Sequence, residues 1–227
     1  MMDDVIIVAL DGPSGVGKST TSRLVARALG IPHIDTGAMY RAVGLEALRT
    51  ETDLADEERL ESIASQVDIE FRSVDGEPHI YLNGEDVSRD IRTSEVGMAA
   101  SRVSAHSPVR RRLVQMQREI GRRSGGVLEG RDIGTKVFPD TEHKFFLTAR
   151  PEVRAERRWK ELHEKGGGES YEAVLSDMEK RDHQDSTRED SPLLCDDSYT
   201  VVDTSALTIE QVVERIVSSV RSRAGQP

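Results

Sequence analysis

The sequence of 227 residues contains a single cysteine, Cys195, so no disulfide can form within the chain. Its six histidines are scattered without the spacing of a metal site. It has no internal repeat and no apolar run of transmembrane length. The first apolar run is short and follows acidic Asp3 and Asp4, which does not fit a signal peptide. These absences predict a cytoplasmic protein with no membrane segment.

The chain also lacks an excess of basic residues. It has 31 Lys and Arg against 41 Asp and Glu, a formal net charge of -10. Nucleic-acid binding generally needs a basic face, so this balance argues against it, although a local basic pocket for a small phosphorylated ligand stays compatible. The length and the mixture of 36% hydrophobic and 32% charged residues indicate one globular domain with room for an inserted lobe.

A glycine-rich segment near the start carries the strongest functional signal. The apolar run 5–10 predicts a buried parallel strand, and the sequence DGPSGVGKST follows it directly. The segment from Gly12 to Ser19 fits the pattern G-x-x-x-x-G-K-[ST], and an amphipathic helix is predicted after it. The predicted inner face of that helix is Leu24, Val25, Ala28 and Leu29. Strand, glycine loop and helix in this order indicate a P-loop rather than a chance turn.

Phosphate chemistry explains the residue types in this loop. Glycines allow backbone N–H groups to approach phosphate oxygens, and the helix N-terminus adds a positive dipole end. Lys18 can reach the β- and γ-phosphates, and the Ser19 hydroxyl suits Mg²⁺. We therefore expect ATP and Mg²⁺ as cofactors. The predicted cofactor-binding residues are Gly12, Pro13, Ser14, Gly15, Val16, Gly17, Lys18, Ser19 and Thr20.

Strands and helices alternate along most of the chain. Further strands are predicted at 31–34, 126–128, 144–147 and 199–202. Residues 53–100 interrupt this rhythm, because a polar helix near 56–65 is followed by alternating apolar residues and the turn dipeptides Asp75-Gly76 and Asn83-Gly84. This pattern predicts an inserted antiparallel meander. A surface insertion without function is the alternative.

Polar clusters follow two of the predicted strands. Residues 35–41 read DTGAMYR and residues 129–134 read EGRDIG. Polar groups at the carboxyl ends of parallel strands are typical of α/β binding sites. Asp35 and Thr36 also fit a helix N-cap, which is compatible with a site. Arg41 either points back at a phosphate or is solvated.

Two later helices carry charged residues at helical spacing. Arg154, Arg157 and Arg158 share one face before the run Gly166–Gly168, which fits either a solvated face or a lid that closes over phosphates. The next helix is predicted to begin at Ser170, and one of its stripes passes from apolar to charged. That stripe comprises Val174, Met178, Arg181, Asp185 and Arg188. It would place Asp185 between two guanidinium groups.

The linked motifs GPSGVGKST, DTGAMYR, EGRDIGT and RDHQDSTR resemble the bacterial cytidylate kinase family over nearly the whole chain. The resemblance implies an α/β fold with a five-stranded parallel sheet flanked by helices. One P-loop kinase domain, 1–227, would contain a monophosphate-binding lobe at about 53–100 and a lid at about 151–168. The implied reaction transfers a phosphoryl group from ATP to CMP or dCMP. The partners would be these small molecules only, and the chain would be a monomer.

The resemblance also implies roles for single residues. Asp132, Ser101 and Arg110 would read the cytosine, while Asp185 would meet the ribose hydroxyls. Arg154 and Arg158 would belong to the lid. The implied substrate-binding residues are Thr36, Arg41, Ser101, Arg110, Arg131, Asp132, Arg181, Asp185 and Arg188. The implied catalytic residues are Lys18, Arg41, Arg131, Arg158 and Arg181, with Ser19 as the metal ligand. Arginine suits this task because its fork matches phosphate geometry.

Two other classes of protein share part of this pattern. A different small-molecule P-loop kinase, such as a shikimate or adenylate kinase, would have the glycine loop but not the insert together with RDHQDSTR. A regulatory GTPase or ATP-driven switch would act through a binding partner. The chain lacks the Asn-Lys-x-Asp motif that reads guanine, which argues against a GTPase.

Overall fold

The computed structural model describes residues 5–74, 77–164 and 166–224. The strands are β1 (Ile7–Asp11), β2 (His33–Asp35), β3 (Ile69–Val74), β4 (Glu77–Leu82), β5 (Glu85–Asp86), β6 (Gly126–Gly130), β7 (His143–Thr148) and β8 (Thr200–Asp203). The α-helices are α1 (Lys18–Leu29), α2 (Thr36–Arg49), α3 (Glu57–Gln66), α4 (Ser94–Val103), α5 (Ser107–Ser124), α6 (Pro151–Glu164), α7 (Tyr171–Thr187) and α8 (Ile209–Ala224). A 3₁₀ turn spans Asp90–Arg92, and a π-helix spans Ile133–Val137.

Five strands form one parallel sheet in the order β2-β6-β1-β7-β8. β1 lies between β6 and β7, and Val8, Ala9 and Leu10 at its centre are fully buried. A β-branched apolar run without alternation suits such a strand, because both faces of a parallel sheet are covered by helices. The predicted α/β fold and the five predicted strands are confirmed. No helix of the described residues is both long and apolar enough to cross a bilayer.

The contacts divide the described chain into two compact units. The first unit comprises residues 5–33 and 124–224, and the second comprises residues 34–123. The core of the first unit includes Val8, Leu10, Val25, Phe145, Leu147, Val202 and Ile216. The core of the second unit includes Met39, Val43, Leu60, Ile80, Ile91 and Leu113. Each unit therefore has its own apolar interior.

Helix α1 differs from the predicted pattern on its inner face. Ala28, expected inside, is exposed, whereas Ser22 and Ala26 are buried beside Val25. The rotation has a physical cause, since the Ser22 hydroxyl is bonded to the buried carboxylate of Glu129. A polar contact thus decides which face of α1 turns inward.

The second unit contains the predicted antiparallel meander. β3 pairs with β4 and β4 with β5, both antiparallel. Asn83 and Gly84 have φ angles of 52° and 84°, the left-handed values that a tight hairpin turn requires. The turn predicted at Asp75-Gly76 lies outside the described residues.

Asp35 caps α2, because its carboxylate accepts a hydrogen bond from Ala38 N at 3.0 Å.

Gly12 is expected to contribute strongly to the stability of the first unit. It has φ 148°, and a Cβ there would lie 2.2 Å from the carbonyl oxygen of Leu147. We expect Gly12→Ala to lower the free energy of unfolding by about 2 kcal/mol or more, because rigid backbone must move. The matched control is Gly97→Ala in α4, where an added Cβ would meet nothing within 4 Å. The free energy of unfolding of this variant should rise by about 0.5–1 kcal/mol, because alanine has the higher helix propensity. Urea unfolding of both variants measures the difference, and equal stabilities would show that the backbone at Gly12 accommodates a Cβ.

Candidate active site

The loop between β1 and α1 has the backbone of an anion cradle. Gly12, Gly15 and Gly17 have φ angles of 148°, 75° and 90°. A Cβ on Gly15 would lie 2.7 Å from Cε of Met178 and 3.2 Å from the carbonyl oxygen of Arg154, so glycine is also required by space there. The first turn of α1 begins directly afterwards, at Lys18. Residues 12–17, called the phosphate loop from here on, thus lead into a helix N-terminus that favours an anion.

Lys18 is buried at the base of this loop. Its Nζ donates hydrogen bonds to the carbonyl oxygens of Gly12 and Pro13, each at 2.7 Å. Burial, and then the positive charge of Arg131, lower the pKa of Lys18 to about 7. The side chain therefore gives up its proton far more readily than an exposed lysine does. An anion at the loop would restore the charged form.

A buried carboxylate, Glu129, orients the residue next to Lys18. Ser19 Oγ donates to one of its oxygens at 2.9 Å, and Ser22 Oγ donates to the other at 3.1 Å. His33 Nε2 lies 2.9 Å from the second oxygen. Although burial favours the neutral acid, His33 and Lys18 hold the pKa of Glu129 below its usual value. Glu129 is thus an acceptor for two hydroxyl groups; the sequence pattern placed it in a polar cluster but assigned it no role.

The oxygen chemistry around Ser19 suits Mg²⁺. A hydroxyl backed by a carboxylate offers the hard oxygen ligands that this ion prefers, and Mg²⁺ commonly keeps waters and substrate phosphates as its other ligands. Among the described residues, no group of three or more His, Cys, Asp or Glu side chains could hold a metal by itself. The Ser19 hydroxyl with its Glu129 neighbour therefore fits Mg²⁺ as a partial set of ligands.

A second cationic centre is built on Asp185. Its carboxylate accepts from Arg131 Nε at 2.7 Å and from Arg188 Nη1 at 3.1 Å. Asp185 does lie between two guanidinium groups, but only Arg188 is an expected partner; the second is Arg131 and not Arg181, so that part of the prediction was wrong. Arg181 instead pairs with Asp177 at 3.0 Å. This pairing is local, since the two residues are one helical turn apart on the surface of α7.

The stripe on α7 also ends earlier than its spacing predicts. The helix stops at Thr187, and Arg188 has the extended angles φ -64° and ψ 144°. Arg188 meets Asp185 from this extended segment, and its Nε donates to the carbonyl oxygen of Ser191 at 2.6 Å. The helical continuation to Arg188 was therefore wrong, although the ion pair it suggested exists.

The three arginines of α6 lie on one side of the helix, as their spacing predicts, but their guanidinium groups contact different partners. Arg154 is buried and donates to the carbonyl oxygen of Ser14 in the phosphate loop at 3.1 Å. Arg157 donates to the carbonyl oxygen of Thr204 at 2.7 Å. Arg158 points outward and pairs with Glu161 at 2.9 Å. Each guanidinium has found a different acceptor within reach of its own position.

Asp182 is a site residue that sequence reasoning missed. Its carboxylate pairs with Arg154 and accepts a long hydrogen bond, 3.4 Å, from the Ser14 amide of the phosphate loop. A signal existed, because Asp182 lies four residues beyond Met178 on the stripe that leaves the core. Asp182 and Arg154 thus connect α7, α6 and the phosphate loop.

The second unit holds the remaining predicted substrate residues. Thr36 is buried at the first position of α2, and Arg41 on the same helix donates to the carbonyl oxygen of Ile91 at 3.3 Å. Arg110 is only 3% exposed, and its guanidinium lies 5.3 Å from the ring centroid of Tyr40. It also donates to the carbonyl oxygen of Ser104 at 3.3 Å, on the turn that ends the Ser101 helix. Burying a guanidinium group costs free energy unless partners compensate its charge. The buried Arg110 is therefore a candidate for a binding role.

The comparisons with known proteins agree with this geometry. A family model described as Cytidylate kinase matches residues 8–222. The chain is 47% identical over 212 residues to a cytidylate kinase of Caldicellulosiruptor bescii, covering 93% of this chain and 94% of the relative. It is 47% identical over 222 residues to a cytidylate kinase of Geobacter sp., covering 97% and 95%.

A solved structure of an uncharacterised protein from Eubacterium ventriosum shares the fold. Its TM-score is 0.54 at 12% identity, and the likeness covers 96% of this chain and 99% of that one.

The family match begins inside β1 and ends within α8, so it contains the phosphate loop, Glu129 and the Asp185 centre. A match of this extent confirms the predicted resemblance: the chain belongs to the cytidylate kinase family.

Proposed function

We propose that the protein transfers the γ-phosphoryl group of ATP to CMP and dCMP, giving ADP and CDP or dCDP. The observation that carries the proposal is the presence of two cationic centres in the first unit. One is Lys18 at the base of the phosphate loop. The other consists of Arg131 and Arg188, which both donate hydrogen bonds to Asp185. A transfer between two phosphorylated molecules needs one such centre for each anion. The relatives named cytidylate kinase support CMP as the acceptor.

The phosphate loop is the proposed site for the donor. Backbone N–H groups of residues 12–20, except Pro13, which has none, would meet the phosphates of ATP. Lys18 would exchange its loop carbonyls for phosphate oxygens. Ser19, oriented by Glu129, would hold Mg²⁺ together with those phosphates. The ion would neutralise part of the charge that develops during transfer. The chain itself supplies the amides, the ammonium group and the hydroxyl.

The Asp185 centre is the proposed site for the acceptor within the first unit. Arg131 and Arg188 would bind the CMP phosphate, whose oxygen is the nucleophile. No general base is needed, because this phosphate is already ionised at neutral pH. Asp185 would accept from the ribose hydroxyls, and the buried carboxylate of Asp132 would accept from the N4 amino group of cytosine. Positioning and charge then carry the reaction.

Residues of the second unit are assigned by the same family resemblance. Thr36 and Arg41 would bind the acceptor phosphate, while Ser101 and Arg110 would donate to the cytosine acceptors. Arg158 and Arg181 stay predicted catalytic residues. Both now pair with surface carboxylates. A lid movement over about 151–168 would have to bring Arg158 to the phosphates, and Arg181, which lies on α7 outside that segment, would have to leave Asp177.

A panel of nucleoside monophosphates tests the function and the base-reading role together. In a coupled assay of ADP release, CMP and dCMP should exceed UMP, AMP and GMP by about a hundredfold or more in kcat/KM. Asp132→Ala should lose more activity on CMP than on UMP, because the carboxylate that accepts from N4 is gone. The matched control, exposed Asp140→Ala, should change neither. Activity on AMP alone would reject the function, and equal losses on CMP and UMP would reject the role of Asp132.

Lys18 should take up a proton when nucleotide binds. With a pKa of about 7 in the free protein, it is mostly neutral at about pH 8, whereas a bound phosphate requires the ammonium form. Calorimetric titration with ATP in two buffers of different ionisation enthalpy should show uptake of nearly one proton at about pH 8 and little at about pH 6. Lys18→Met, measured identically, subtracts protons that ATP itself exchanges. Equal uptake by both proteins would contradict the assignment.

Asp185 should distinguish the two sugars. If it accepts from the 2′-hydroxyl, Asp185→Ala should lower the CMP to dCMP ratio of kcat/KM about tenfold or more, since dCMP lacks that donor. The ratio cancels losses that come from freeing Arg131 and Arg188, which affect both substrates. Asp177→Ala on the same helix breaks only the Arg181 pair and serves as the control. A ratio that does not move would restrict Asp185 to the 3′-hydroxyl or to holding the arginines.

A further inference from the structure

A second buried carboxylate, Asp11, ends β1 and has no part in the roles described so far. It is fully buried and accepts three hydrogen bonds. Ile133 N donates to Oδ1 at 3.0 Å, while Gly134 N and the Tyr199 hydroxyl donate to Oδ2 at 2.8 and 2.7 Å. The two amides open the π-helix Ile133–Val137. A residue 122 positions away along the chain therefore caps this helix.

The charge of Asp11 matches this task. Burial raises its pKa to about 6, while the three hydrogen bonds act in the opposite direction. The side chain is thus ionised at neutral pH and acts only as an acceptor, which suits three converging donors. Charge-assisted bonds of this kind are stronger than neutral ones, so the start of the π-helix is held firmly.

Tyr199 fixes the same carboxylate from the side of β8. Its ring packs edge-on against Phe146, with centroids 5.8 Å apart, and its hydroxyl donates to the Asp11 carboxylate. A Cβ on residue 134 would lie only 2.7 Å from that hydroxyl, and glycine is therefore the residue that lets Tyr199 approach. The hydroxyl also interacts with Thr135 of the π-helix.

Asp11 stands where two functional loops meet. In the sheet it is paired with Gly130, and the residues that follow are Arg131 and Asp132, the predicted readers of phosphate and base. On its own strand the next residue is Gly12, whose carbonyl oxygen accepts from Lys18. Residues 131–134, called the acceptor loop from here on, are thus tied to the residue that begins the phosphate loop.

We infer that Asp11 and Tyr199 are positioning residues that hold the acceptor loop in register with the phosphate loop, so that Arg131 and Asp132 bind CMP correctly. This inference rests on the proposed function and extends it to two residues that touch no substrate. An apolar residue would complete the apolar strand β1 at lower desolvation cost, and the carboxylate is placed where it can orient a loop.

The cleanest test is Tyr199→Phe, which removes one donor and keeps the ring. We expect KM for CMP to rise about three- to tenfold and the CMP to UMP preference to fall, with KM for ATP unchanged within about twofold. The matched control is Tyr171→Phe on α7, whose hydroxyl donates a long hydrogen bond, 3.5 Å, to the carbonyl oxygen of Glu152. A residue that matters only for stability would lower the melting temperature and leave both KM values unchanged.

Asp11→Asn keeps the shape of the side chain and perturbs its hydrogen bonds more strongly than Tyr199→Phe does. Its amide would set N–H groups against the donors that now converge on the carboxylate, so a larger rise in KM for CMP is expected. Amide hydrogen exchange, followed by NMR, supplies a readout that needs no substrate. The amides of Ile133 and Gly134 should exchange faster in both variants, and those of the 12–17 loop should not.

The outcomes separate the inference from the function on which it rests. If the wild-type protein does not phosphorylate CMP, the proposed function fails, and the exchange of the Ile133 and Gly134 amides still decides whether Asp11 and Tyr199 hold the acceptor loop. If wild type is active on CMP and Tyr199→Phe keeps its KM and base preference, the inference is overturned. An equal rise of KM for ATP would overturn it as well, because the acceptor loop would then have no separate role.

Discussion

The burial of a cation in the phosphate loop is the constraint on which the rest of the site depends. Lys18 is held among backbone carbonyls with a pKa of about 7, because the surroundings exclude water and Arg131 adds a like charge. A charged amine in such a place is unfavourable until an anion arrives. In the free protein the ammonium form of Lys18 is therefore disfavoured, and a bound anion would stabilise it.

The carboxylates near the loop reduce the repulsion among these cations. Glu129 binds the hydroxyl beside Lys18 and lies close enough to favour its charged form. Asp185 lies between two guanidinium groups and orients them. Without its negative charge the two cations would repel each other, and the repulsion is stronger where the dielectric constant is low. In a chain with net charge -10, positive charge is therefore gathered locally, and Lys18, Arg131 and Arg188 each have a carboxylate or carbonyl partner.

The parallel sheet explains why these groups meet. β1 and β6 are neighbours in register, so the residues that follow them leave the sheet at the same edge. The two strands also exchange contacts beyond the ladder. The carboxylate at the end of β1 caps the helix that follows β6, and the carboxylate of β6 binds a hydroxyl on the helix that follows β1. Both connecting loops are consequently fixed by side chains from the opposite strand.

Much of this site was accessible from local pattern. The glycine loop with Lys18 and Ser19, the caps at Asp35 and Ser170, and the strand ends could be predicted, because each depends on residues close in sequence. The family resemblance also indicated the importance of Asp185. The spacing indicated its partner Arg188 but not its partner Arg131, which comes from a strand end 54 positions away. Arg181, the partner expected instead, pairs with a nearer carboxylate on its own helix.

The sequence by itself determined the strand–loop–helix order, the phosphate chemistry and the family, because spacing and residue type are sufficient for these. Only the tertiary structure decided how the long polar side chains are paired. Arg154 turns to the phosphate loop while Arg158 turns to a surface glutamate, and Asp11 reaches a helix 122 positions away. The physical reason is that a guanidinium or carboxylate binds whichever partner the packed backbone brings within about 3 Å, and helical spacing does not specify that partner.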